Sequence, residues 1–253
     1  MTIDRRAMLA GAAGLAATSL LPGATHAAAP DGRKWVIVNA LGGLADPNIR
    51  DAPDPFSPRV LAEAHASGVT AINCTLGYVA GPAEPFEKSV ADVAEMDMLL
   101  RRYPRDLVKI LSAADIRRAK AEKKIGIIYG FQNGAMMGKD AGRVDIFANM
   151  GVRIFQLTYN PANQLGDGSM APDNRGLTPF GREVIERLNA QRMIVDLSHS
   201  GEKTCLEAAR ASKAPISINH TGCRAVTDLP RNKSDAELRL VAERGGFIGI
   251  YFM

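Results

Sequence analysis

The sequence predicts an α/β chain folded as a TIM-like (β/α) barrel, and three observations carry that prediction. Short β-rich apolar runs alternate with segments of helical spacing along most of the 253 residues, the order that builds βαβ units and a parallel sheet. The runs are nearly continuous in apolar residues, as expected of strands covered on both faces. No G-x-G-x-x-G follows the first run and no G-x-x-x-x-G-K-[S/T] occurs anywhere. The phosphate-cradling turn of a dinucleotide or P-loop fold is therefore missing, and a doubly wound open sheet ranks second.

The elements follow in order. Strands are expected at Lys34–Val38, Val69–Cys74, Leu107–Leu111, Ile125–Tyr129, Val152–Thr158, Met193–Leu197, Pro215–Asn219 and Phe247–Phe252. Ser57-Pro58 opens the first helix with a cap and a first-turn proline. Ala91–Arg102 has helical spacing, and Thr178-Pro179 caps a helix that runs through Asn189. Gly201–Ala211 and Ser234–Arg244 complete the helical segments.

Composition narrows the class. With 46% hydrophobic and 23% charged residues, the chain can bury a core and is not a disordered polymer. Its 24 glycines and 14 prolines show no period, which excludes a collagen-like repeat. The net charge is +4, from 31 basic and 27 acidic residues intermixed along the chain. Without a basic stripe there is no case for nucleic acid as a partner.

The first 29 residues read as an address. Arg5-Arg6 precedes the apolar run Ala7–Leu21, then Pro22, then a small-residue stretch ending Thr25-His26-Ala27-Ala28-Ala29. A positive start, an apolar middle and an A-x-A-like end make a secretory signal, and paired arginines point to twin-arginine export. The run is shorter than the roughly 20 residues of a membrane-spanning helix. The expectation is a signal peptide over residues 1–29, a barrel domain over 30–253, and a mature protein without a membrane span in the periplasm. The three cysteines, Cys74, Cys205 and Cys223, form no close C-x-x-C pair and announce no disulfide; Cys223, three residues after His220, reads as a small buried side chain rather than a metal ligand.

In a parallel barrel the active site lies at the C-terminal ends of the strands. The sixth run ends Asp196-Leu197-Ser198-His199 and the seventh ends Ile218-Asn219-His220. After the signal only one other histidine remains, His65, expected to face solvent from the first helix. Two imidazoles on neighbouring strand tips can converge on one metal ion through neutral nitrogens. Asp196 reads either as a group ordering a neighbouring ligand or as a buried structural carboxylate.

A family resemblance joins these words. Gln156-Leu157-Thr158-Tyr159-Asn160, Gly166-Asp167-Gly168, Gly176-Leu177-Thr178-Pro179-Phe180-Gly181, Val195-Asp196-Leu197-Ser198-His199, Pro215 to His220 and Pro230-Arg231-Asn232 resemble, in order and spacing, the membrane dipeptidase (renal dipeptidase, peptidase M19) family. The resemblance implies a barrel of the metal-dependent hydrolase type that cleaves dipeptides or related small amides by metal-activated water, with zinc as cofactor. By resemblance His199 and His220 are metal ligands, and Arg231 receives a substrate carboxylate. Gln132 takes the place of a bridging glutamate, and Tyr159 that of a substrate-contacting histidine. Asn160 and Asp167, in the loop after the fifth strand, are expected to orient substrate or to serve as turn residues.

Several positions depart from the family pattern. Asn39-Ala40-Leu41 stands where the family carries a His-x-Asp metal pair, and Gln132 brings no charge. One ion is therefore expected rather than two. By resemblance a last barrel strand falls beyond Met253, one early strand is peripheral, and the barrel is incomplete at its C-terminal end. The partners expected are a small-molecule or dipeptide substrate, with a homodimer left open. Two alternatives stand beside this reading. One is a binding protein on the same fold without hydrolysis, and the other an enzyme with one metal or none acting on a different amide or lactone.

Overall fold

The structure, a computed structural model, describes residues 35–44, 46 and 56–251. The expected signal peptide lies outside them. Eight strands form one parallel sheet: β1 (Val38–Gly42), β2 (Ala71–Leu76), β3 (Leu107–Lys109), β4 (Ile125–Phe131), β5 (Val152–Gln156), β6 (Ile194–Asp196), β7 (Ser217–Thr221) and β8 (Phe247–Ile250). Helices α1 (Pro58–Ser67), α2 (Pro85–Arg102), α3 (Ala113–Ala121), α4 (Arg143–Asn149), α5 (Pro179–Ala190), α6 (Glu202–Ala211) and α7 (Asp235–Glu243) alternate with them.

The strand order is β1-β2-β4-β5-β6-β7-β8, with β3 off this path and paired only to the start of β4. The sheet curls nearly into a closed barrel, bringing β1 towards β7. The barrel expectation therefore holds, and the peripheral early strand is β3. Its three residues pair with Ile125–Ile127, while β5 takes the later part of β4, Tyr129–Phe131.

Strand positions hold and boundaries move. The first strand starts at Val38, not Lys34, because its ladder is set by β2: Val38 pairs with Ala71 and Asn39 with Ile72. Apolar character at Val36 and Ile37 alone does not make strand, and both side chains are exposed. Helix α2 begins at Pro85, ahead of the expected Ala91, because proline fits the first helical turn. Two short helices have no counterpart in the sequence reading. Helix α3 buries only Ala119 and α4 spans seven residues, so neither offers a long apolar stripe.

The two expected caps form: the Ser57 hydroxyl accepts from Val60 N and Thr178 from Gly181 N. A third, not foreseen, is the capping box of Ser234 with Glu237. Helices pack on the outer face of the sheet, where Phe131, Phe147 and Phe155 meet edge to face.

Residues two apart in a strand share a face, and on the other face the chemistry changes along each strand. Ala71, Ile128 and Ile154 cluster with Ile110 and Ala119 of the α3 region. Moving two residues at a time towards the C-terminal ends, the same face carries Asn73 and Thr75, then Gly130 and Gln132, then Gln156 and Thr158. The barrel is apolar at its base and polar at its mouth.

Candidate active site at the strand ends

The tips of β6 and β7 are built on Asp196. This carboxylate is 2% exposed, and its Oδ1 accepts from Ser198 N at 3.0 Å, Ser198 Oγ at 2.5 Å and Asn219 N at 3.1 Å. Its Oδ2 accepts from Asn219 Nδ2 at 3.1 Å. Ser198 Oγ in turn accepts from His220 N at 3.2 Å. One buried acid thus fixes the turn that carries His199 to the strand that carries His220. Burial raises the Asp196 pKa, against the hydrogen bonds from Ser198 and Asn219.

The two imidazoles meet. His199 Nε2 and His220 Nε2 are 2.9 Å apart, and His199 Nδ1 is 2.7 Å from Asn160 Oδ1. The amide oxygen can only accept, so it assigns the proton of His199 to Nδ1 and leaves Nε2 with a lone pair. His220 Nε2–H then donates across the pair. His220 Nδ1 is buried without a partner. Burial first, and then the Arg231 guanidinium, lower His199 to about 2 and His220 to about 4. Both rings are neutral near pH 7.

Three further candidates join them. The Tyr159 ring stacks on His199 at 4.2 Å between centroids. Asn160 is the hydrogen-bond partner just described. Arg231 donates from Nη1 to Ser198 O, and burial lowers its pKa. The segment that presents Arg231 is held from behind by a buried ion pair, Lys233 Nζ 3.0 Å from Glu237 Oε1, with Lys233 also donating to Ser200 O at 2.5 Å.

Two candidates stand apart from the histidines. Gln132, just past β4, donates from Nε2 to Thr75 Oγ1 at 2.7 Å, and its carbonyl accepts from Gln156 Nε2. Asp167 is turned to Arg175: Oδ2 accepts from Arg175 N at 2.5 Å and Oδ1 from Nη2 at 3.0 Å. That clasp shapes the loop carrying Tyr159 and Asn160. Desolvation of Asp167 is outweighed by Arg175, which holds its carboxyl below the usual range.

His65 is exposed, with Nε2 3.3 Å from Asp106 Oδ1. All three cysteines are free, and burial pushes Cys74 and Cys205 up to about 12; Cys223, expected to be buried, is only half-buried because it lies in the loop after β7 and not in the sheet. A cavity of about 270 Å³ lies under α1, lined by Asn39, Val60 and Ile72 among others, and none of the candidate residues borders it.

The donor set decides what metal these residues suit. Two imidazole nitrogens on one tetrahedral zinc stand about 3.3 Å apart at Zn–N distances of about 2.0–2.1 Å. The observed pair, 2.9 Å apart and joined by a hydrogen bond, is a little short of that separation; Asn160 supplies the outer partner that orients His199 as a ligand, whereas ligation by His220 Nε2 would require its proton to move to Nδ1, which has no partner. Among the described residues no group of three or more His, Cys, Asp or Glu converges. The residues fit one divalent ion with water in its remaining positions. They do not fit a carboxylate-bridged pair.

Comparisons with known proteins agree with this architecture. Residues 62–253 match the membrane dipeptidase family, peptidase family M19. A curated relative, an uncharacterized protein from the pqqA 5′ region of Klebsiella pneumoniae, is 29% identical over 177 residues, covering 68% of this chain and 65% of the relative. Among solved structures, an amidohydrolase from Pseudomonas aeruginosa superposes with a TM-score of 0.77 at 33% identity, over 87% of this chain and 63% of that one. A metallo peptidase from Rhodobacter sphaeroides, liganded with a phosphinate mimic of the dipeptide L-Ala-D-Ala, gives 0.69 at 22% identity, over 75% and 63%. The chain spans just under two thirds of the length of each.

Proposed function

This chain belongs to the membrane dipeptidase family, peptidase family M19, and on that footing we propose that it is a dipeptidase-like hydrolase of small amides bearing a free carboxylate. The observation that carries the reading is the joining of His199 and His220 at 2.9 Å beside the half-buried Arg231. The metallo peptidase bound to a dipeptide mimic supports the same reading by analogy of fold. The Arg5-Arg6 pair before the apolar run Ala7–Leu21 supports placing the reaction in the periplasm.

Arg231 receives the carboxylate, because a guanidinium offers a planar fork of donors matched to two oxygens. Its bond to Ser198 O holds the fork against the histidine turn. Tyr159, stacked on His199, offers its hydroxyl to an oxyanion developing on the amide carbonyl. Asn160 keeps His199 Nε2 unprotonated. His199 and His220 would hold one divalent ion, and we assign zinc because imidazole suits it; Gln132, past β4 and bonded to Thr75, stands apart from them. When bound, such an ion lowers the pKa of water and polarises a carbonyl.

The test is a screen of dipeptides and N-acyl amino acids against the purified chain, read by mass spectrometry of the released amine. Turnover should vanish in the His199→Ala/His220→Ala variant. Arg231→Ala should lower kcat/KM about a hundredfold for carboxylated substrates only. Equal losses for substrates with and without the carboxylate would refute the role of Arg231.

A further inference from the structure

We infer that Lys233 is a positioning residue for His199: its ammonium braces the turn that presents this imidazole, beyond its part in a structural ion pair. The effect on turnover rests on the hydrolase reading above, whereas the effect on the rings rests on geometry alone.

Three consecutive carbonyls run through the His199 turn, and each accepts from a group outside it. Ser198 O accepts from Arg231 Nη1, His199 O from Ser169 N at 2.7 Å, and Ser200 O from Lys233 Nζ at 2.5 Å. Arg231 and Lys233 are two residues apart, and so are the carbonyls they grip, one on each side of His199. The two cations clamp the peptide units that set the direction of the His199 side chain.

The segment that carries both cations is also fixed through its backbone. Lys233 N donates to Gly222 O at 3.0 Å, and Arg224 N to Lys233 O at 2.9 Å. Gly222 N donates to Asn232 Oδ1 at 3.1 Å, and Thr221 Oγ1 to Arg231 O at 3.2 Å. These bonds tie residues 231–233 to the end of β7, the strand that carries His220. Lys233 Nζ therefore links the His220 strand to the His199 turn by a path separate from Asp196.

The ammonium is held from its other side too. Lys233 and Glu237 are 2% and 1% exposed, and Nζ lies 3.0 Å from Glu237 Oε1. Glu237 Oε2 accepts from Ser234 N at 2.8 Å and Ser234 Oγ at 3.1 Å, which locks the acid into the cap of α7. A buried ion pair is often no more stabilising than apolar side chains of similar volume. What it supplies here is direction: a fixed acid aims the ammonium at Ser200 O, and a charged donor makes that bond stronger than a neutral one. A carboxylate docking on Arg231 competes with Ser198 O for its donors, and Lys233 then keeps the turn in place.

The test uses the full chain with isotope-labelled histidine and a chelator present, and reads each ring's tautomer from the NMR shifts of its two nitrogens. In the parent, the shifts should place the proton of His199 on Nδ1 and that of His220 on Nε2. Lys233→Met/Glu237→Gln removes the ammonium without leaving a charge unpaired, and glutamine keeps the capping box. Lys233→Leu/Glu237→Gln repeats the test where the first pair does not fold. Val241→Ala, on the buried face of α7, lowers the melting temperature without touching the turn.

In the double variant the His199 shifts should move to the average of two exchanging tautomers, and the Kd for zinc should weaken about tenfold. The kcat should fall about tenfold with KM changed by less than about threefold, because Arg231 still grips the carboxylate. Val241→Ala should keep the parent's shifts and Kd. Unchanged shifts and Kd in a folded double variant overturn the inference and leave the hydrolase reading standing. Equal changes in Val241→Ala overturn it as well, because lost stability then accounts for them. A parent without turnover, with shifts that move only in the double variant, overturns the hydrolase reading and leaves the positioning role.

Discussion

Asp196 and His220 sit on neighbouring strands and are joined through one hydroxyl: Asp196 Oδ1 accepts from Ser198 Oγ, which accepts from His220 N. With Asn219 bonded to the same carboxylate, the acid sets the relative height of the two strand tips. Asp196→Ala would strand two backbone N–H groups, of Ser198 and Asn219, and their two side chains in a buried site. It should lower unfolding free energy by about 2–4 kcal/mol, measured by urea denaturation. A loss below about 1 kcal/mol would show that the network is not what holds the tips.

Gly168 lies directly under the segment that carries Tyr159 and Asn160. A methyl group there would collide with the backbone carbonyls of Tyr159, Asn160 and Pro161, which cannot rotate away as a side chain would. Gly168→Ala should cost about 1–3 kcal/mol and reduce turnover by displacing Asn160 from His199 Nδ1. The melting temperature and kcat check the two effects separately. Retained stability with full turnover would contradict the close approach.

The histidine pair makes stability depend on pH in a definite direction. An unfolded histidine titrates near 6.5, while burial and Arg231 lower His199 to about 2 and His220 to about 4. Between these values the unfolded chain binds protons that the folded chain refuses. Stability is then fully present above about pH 6.5 and falls as the pH drops, through about 4 for His220 and on towards 2 for His199. In chelator, the melting temperature should decline over that window, and His199→Gln/His220→Gln should flatten the decline. A melting temperature that rises on acidification would contradict it.

Much of this was legible in the sequence, and the gaps have physical reasons. The β-rich runs located the central strands, such as β2 and β4, because both faces are covered and the apolar signal is dense; the first run met β1 only at Val38, where the side chain is exposed. The peripheral place of β3 depended on which partner each half of β4 takes, a tertiary choice that β3 itself does not encode. His199, His220, Tyr159, Asn160 and Arg231, singled out at the strand ends and by family spacing, lie together in the fold. The clasp between Asp167 and Arg175 was not foreseen, since it spans an irregular loop. The buried Lys233–Glu237 pair was missed too, although its i,i+4 spacing beside the Ser234 cap was a usable signal.

The central claim is that the paired histidines hold a single divalent ion. The direct measurement is bound zinc, manganese and iron per chain by elemental mass spectrometry, on the parent protein and on a folded His199→Ala/His220→Ala variant. The account predicts about one ion per chain, lost in the variant. An ion content unchanged by removal of both imidazoles, or full turnover with no ion bound, would contradict it.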